Sequence, residues 1–111
     1  SADRDDWENK LTSNEQYFIS NILAFFASSD NIDNINLVEN FINDVKIPEA
    51  QVAYRFQAAM EDIHSESYSL MIETFIRDND EKNKLFNAIS TIPCVKKKAE
   101  WAFKWINNNR F

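Results

Sequence analysis

A chain of 111 residues has room for one modest domain, and its 44% apolar and 14% aromatic content suits a packed core rather than a disordered tail. A net charge of −6 and a pI near 4.7 speak against a nucleic-acid or anionic-membrane surface. No apolar run is long enough to span a bilayer, and the single cysteine, Cys94, cannot close an internal disulfide, which fits a cytoplasmic setting.

Residues 1–12 are acidic and weakly patterned, with Trp7 as their one large apolar anchor. Ser13-Asn14-Glu15-Gln16 reads as a capping box, with Ser13 at the N-cap and Gln16 reaching back. Apolar residues then recur at helical spacing through Ile19, Leu23, Phe26, Leu37, Phe41 and Val45. Ser28-Ser29-Asp30-Asn31 are weak helix formers, but no glycine or proline interrupts them, so the helix is expected to run on. Lys46-Ile47-Pro48-Glu49 is the clearest punctuation, because proline favours a first helical turn and disfavours helix in the residue before it. A second long helix is predicted from about Pro48 to Arg77, broken by Asp78-Asn79-Asp80. A short helix follows near 81–90, and Pro93 opens a last one through Ile106. With no glycine and two prolines in the chain, the fold class is all-α: a long antiparallel helix pair plus shorter helices. Lys96-Lys97-Lys98 reads as a solvated face.

The stretch "AMEDIHSESYSL" carries the only histidine, His64, three residues after Glu61 and four before Tyr68. At about 100° per residue, Tyr54, Gln57, His64, Tyr68, Ile72 and Phe75 all fall within about 60° of Glu61. Arg55, Asp62, Glu66 and Glu73 form a separate solvent stripe, and Val52, Phe56, Ala59, Ile63 and Leu70 occupy the remaining side. Glu61 and His64 are thus expected among apolar neighbours, where an unpaired charge is costly. Asp30 shows the same anomaly on the first helix.

Folding the helices back at the link brings these anomalies together. Asp30 stands 16–17 residues before the middle of the 45–48 link, and Glu61 and His64 bracket that distance after it. Two carboxylates and an imidazole at one height in a dry inter-helix site suit a transition metal with mixed oxygen and nitrogen ligation. Glu-x-x-His alone is a weak motif, and a lone histidine on an apolar face is otherwise a hydrogen-bonded core residue. Tyr68 by itself is a core tyrosine; beside an oxygen-activating metal, its phenol is the side chain most readily oxidised to a radical.

The segments "FISNILAFFASSD", "NLVENF", "FQAAMEDIHSESYSLMIETFI" and "LFNAISTIPCVKKKAEWAFKWI" closely resemble the small, radical-generating subunit of class I ribonucleotide reductase, from about Trp7 onward. The resemblance implies that residues 1–111 are a single, partial ferritin-like helical bundle domain. It implies a di-iron centre, manganese in some relatives, with Asp30, Glu61 and His64 as the ligands of one half-site and Tyr68 as the radical tyrosine. It also implies a small-subunit homodimer and a separate large catalytic subunit that reduces ribonucleotides to deoxyribonucleotides. The family's usual Gly after the ligand Asp is Asn31 here, and the Glu often found four residues after that Gly is Ile35. The family's further Glu and second Glu-x-x-His would lie beyond Phe111, as in an internal portion of a longer protein. Trp7 is expected to be structural, and Trp101 and Trp105 to be core. Two other readings stand beside this one: a metal-free helical interaction module, and a di-iron oxidase without the radical function.

Overall fold

The computed structural model describes residues 2–108, which are helical apart from short links. The first twelve residues are more ordered than their pattern predicts. They hold a helix, α1 (Ala2–Asn9), laced by Arg4–Glu8 and Asp6–Lys10 contacts one turn apart. Its Trp7 is buried and stacks on Phe75, with centroids 5.1 Å apart.

The next helix, α2 (Ser13–Asn36), does have a capping box, but one residue earlier than expected. Thr12 Oγ1 accepts from the Glu15 N–H, and the Thr12 N–H donates to Glu15 Oε2 at 2.7 Å. The carboxylate wins over the Gln16 amide because it is the stronger acceptor and complements the positive helix N-terminus. Gln16 is freed to donate to the Trp7 carbonyl at 2.7 Å, which pins α1 to α2.

The helix runs through Asp30 without a break, as expected. It continues as one π-helical turn, Leu37–Phe41, into α3 (Ile42–Asp44). The wider turn shifts the facing of everything after it. The Asn40 amide in that turn donates to Asn36 Oδ1 and to the Ile106 carbonyl at the far end of the chain.

Val45 and Ile47 are extended, and Pro48 sits in the first turn of α4 (Pro48–Phe75). Gln51 closes the hairpin by donating to the carbonyls of Ile42 and Val45. The helix stops two residues before Arg77, with Ile76 extended and buried. Asp78 caps α5 (Asn79–Phe86) by accepting from the Glu81 N–H at 2.9 Å, so the expected break is the cap and first turn of the next helix. A kink at Asn87 separates it from α6 (Ala88–Thr91), and Pro93 starts α7 (Pro93–Ile106).

The core lies where the helices converge: Trp7, Leu23, Ala24, Ile72, Ile76, Leu85, Ala88 and Val95 form one buried cluster. Away from it, α4 packs along its length chiefly on α2. The molecule measures 52 × 29 × 19 Å, so its thinnest dimension is about two helix diameters.

That thinness corrects three expectations. Val52, Phe56, Ile63 and Leu70 lie on an uncovered side of α4. Trp101 and Trp105 are exposed rather than core. His64 is also exposed, with 53% of its side chain accessible. In a two-layer array each helix can cover only one face of its neighbour, so an all-round apolar helix leaves its outer side bare. Arg55, Asp62, Glu66 and Glu73 are exposed as expected, as is the Lys96–Lys98 run, although Lys98 lies over the Phe25 ring at 4.6 Å.

Candidate metal centre

The α2–α4 pairing is antiparallel and level across the hairpin. Phe41 meets Tyr54, Asn34 donates to Asp62 at 2.5 Å, and Phe26 stacks on Tyr68, each pair nearly equidistant from the link. On the same ladder Asp30 faces Glu61 and His64. One carboxylate oxygen from each acid and one imidazole nitrogen all lie within 4.8 Å of one another. His64 Nδ1 is 3.5 Å from Glu61 Oε2. Asp30 is thus brought to Glu61 and His64, more than thirty residues on, by two long helices and the link that ends at Pro48.

The surroundings are half-open rather than dry. Asp30 and Glu61 are half-buried and His64 faces water, because this stretch of α4 is left uncovered on the His64 side among the described residues. Glu61 and Asp33 also border an open groove of about 320 Å³ that runs past Tyr54 and Phe41. Small solutes therefore have a path to the carboxylates.

The Asp30 carboxyl is held above its ordinary value of 3.8, first by burial and then by the Glu61 charge, with His64 pulling it partly back and Asp33 adding to the rise. Asp33 is raised by burial and then by Glu61. The fold therefore presses acids together with His64 as a partial counter-charge among the described residues. Asp30 Oδ2 is buried with no hydrogen-bond partner among the described residues, as is Asn34 Oδ1. A divalent cation would satisfy that oxygen and reverse the sign of the local electrostatics. Donors bound to one first-row ion at ~2.1 Å lie at most about 4.2 Å apart, so a rotamer-scale contraction closes this set. The residues fit a metal ion.

A raised carboxyl has a definite signature in stability. The folded chain holds the Asp30 proton more tightly than the unfolded chain, so its destabilising contribution is absent below the ordinary value. It grows as pH rises through the window up to the raised folded value and is present in full above that value. Asp30→Asn is expected to stabilise the metal-free chain at about pH 7, with the gain shrinking toward about pH 4. Urea-unfolding midpoints at the two pH values check this; an Asn variant less stable at neutral pH contradicts it.

The comparisons with known proteins bear on the whole chain. It matches the ribonucleotide reductase small-chain family over residues 1–111. The chain belongs to that family. It is 63% identical over 107 residues to the ribonucleoside-diphosphate reductase small subunit of Dictyostelium discoideum, which covers 96% of this chain. It is also 63% identical over 110 residues to the small chain of Swinepox virus and 60% identical over 109 residues to that of Vaccinia virus, covering 99% and 98% of it. The chain spans 32–40% of the length of these relatives. Its all-α architecture is that of the ferritin-like small chain.

Sequence reasoning overlooked Asp33 and the Asn34–Asp62 bridge. Both signals were available: Asp33 is three residues from Asp30 and so shares its side of α2, and Asn34 is level with Asp62 across the hairpin. Among the described residues no helix is long and apolar enough to cross a membrane.

Proposed function

We propose that this chain is the part of a ribonucleoside-diphosphate reductase small chain that carries one half of a two-metal centre and the radical tyrosine. One observation carries the reading: in a member of this family, Asp30, Glu61 and His64 offer three donor atoms within 4.8 Å, with Tyr68 one turn beyond His64 on α4. Ferritin-like metal carboxylate proteins draw on a carboxylate from one helix and Glu-x-x-His from another for each half of the centre, and Asp30 with Glu61 and His64 supplies one such set. Residues elsewhere in the full-length polypeptide supply the other.

Two iron ions, or two manganese ions, would lend the site the capacity to use dioxygen as a one-electron oxidant of the Tyr68 phenol. The chain's own contribution is positional. Asp30 and Glu61 bring two negative charges to a half-buried groove, and His64 presents Nδ1 to the same point. Tyr68 sits against Phe26, half-buried and one turn from the imidazole, where its phenol gives up an electron and its hydroxyl proton. The oxidising equivalent is then passed to a large catalytic subunit, which reduces ribonucleotides to deoxyribonucleotides. The working small chain is a cytoplasmic homodimer.

Metal titration of the full-length protein tests the centre. Asp30→Ala or His64→Ala is expected to weaken Mn²⁺ or Fe²⁺ binding at least roughly tenfold, since even outer-sphere partners of metal ligands cost 10- to 100-fold. Unchanged affinity in both variants would favour a metal-free helical module.

A further inference from the structure

We infer that Phe26 is a positioning residue for Tyr68: stacked on the phenol from the facing helix, it holds that ring in one orientation and confines the oxidising equivalent to it. The inference deepens, and rests on, the radical role proposed above for Tyr68.

The placement follows from the register that builds the metal site. Phe26 lies four residues before Asp30 on α2, and Tyr68 four residues after His64 on α4. In an antiparallel pair these positions form the next rung, about 6 Å along the helices. The rings meet there with centroids 5.5 Å apart and planes 20° from parallel, an offset stack. The Tyr68 hydroxyl makes no hydrogen bond among the described residues, so packing orients the phenol: the ring rests against the edge of the buried core cluster and stacks on Phe26. The ring is therefore held by its face, and Phe26 supplies that face. Phe26 is itself braced: Phe25 lies 5.7 Å away, and Lys98 of α7 sits 4.6 Å over the Phe25 ring. Three helices thus converge on the rung beside the ligands.

The residue type matters as well as the shape. A phenyl ring resists one-electron oxidation, whereas a phenol or indole does not. A phenol at position 26 could give an electron and its hydroxyl proton to the Tyr68 phenoxyl. That would restore the Tyr68 phenol and leave the radical at position 26. Phenylalanine closes this route while keeping the stack.

Electron paramagnetic resonance of the metal-reconstituted full-length protein reads both roles, because the splitting from the Tyr68 methylene protons reports the ring's torsion about its bond to the Cβ methylene. Wild type is expected to show one orientation. Phe26→Leu keeps a helix-forming apolar side chain at a site already 41% exposed, so the fold is retained. Without the ring face, the preference for one orientation falls roughly 2- to 10-fold, the weight of an aromatic pair. The splitting becomes a mixture and the signal decays faster, at unchanged metal content. Phe26→Tyr is expected to add a second phenoxyl signal that disappears with the Tyr68 one in a Tyr68→Phe background. Unchanged splitting and lifetime in Phe26→Leu, beside a normal wild-type signal, overturn this inference alone. Absence of a wild-type phenoxyl signal, or its survival in Tyr68→Phe, overturns the radical reading and this inference with it.

Discussion

On the proposed reading, full-length protein carrying Tyr68→Phe is expected to bind metal as before and to lose completely the phenoxyl radical and the nucleotide reduction assigned to it. The substitution is close to surgical. Phenylalanine retains the ring stacked on Phe26 at 5.5 Å and removes only a hydroxyl that makes no hydrogen bond among the described residues. No buried partner is orphaned, so stability should change by less than about 1 kcal/mol. Asp30, Glu61 and His64 are untouched, and their donor atoms stay within reach of one ion. Metal analysis, radical spectroscopy and turnover on the same preparation separate the effects. A radical that persists with full intensity would move the redox role to another residue; lost metal would mean that Tyr68 shapes the site rather than serving it.

Ile72→Ala carries the largest expected loss of stability in the chain, about 2–5 kcal/mol. Ile72 is 0% exposed, and its cluster joins Trp7 of α1, Leu23 and Ala24 of α2, Leu85 of α5 and Val95 of α7. No single helix can move to fill a cavity there without parting from another, so the deficit should lie toward the upper end. Native domains hold only about 5–15 kcal/mol in total, which makes the change a large fraction of the whole. Ile72→Val, which removes one methyl group, should cost about 0.5–1.5 kcal/mol and supplies a graded control. Urea denaturation of the 111-residue chain measures both. A loss below about 1 kcal/mol for the alanine variant would show that the core repacks and that Ile72 is not its keystone.

The two variants lie one turn apart, both in the C-terminal third of α4. Its C-terminal third is clamped between α1, α2 and α5, with Phe75 on Trp7 and Arg77 paired to Glu8. Its middle, with Glu61 and His64, packs on α2 through Asp30 and Asn34 and leaves His64 exposed on its other side. Glu61 and His64 thus hang from a firmly packed end on one long helix, which fixes their height while leaving His64 reachable from solvent.

What the sequence by itself determined is what depends on local geometry and on the symmetry of a hairpin. Absent glycine and two prolines placed at helix starts made the chain all helical, and Pro48 located the reversal. Helical periodicity and equal distances from that reversal were enough to bring Asp30 level with Glu61 and His64. Only the tertiary structure decided which sides of the helices are covered. Val52, Phe56, Ile63 and Leu70 are as apolar as the buried side, yet they face out, and so do Trp101 and Trp105. Periodicity ranks positions around one helix, but the choice between two apolar faces belongs to the neighbouring helix, and two layers can cover only one. The Thr12 cap and the π-helical turn after Asn36 were settled in the same way, by competition between nearly equal local alternatives that packing and hydrogen bonding resolve.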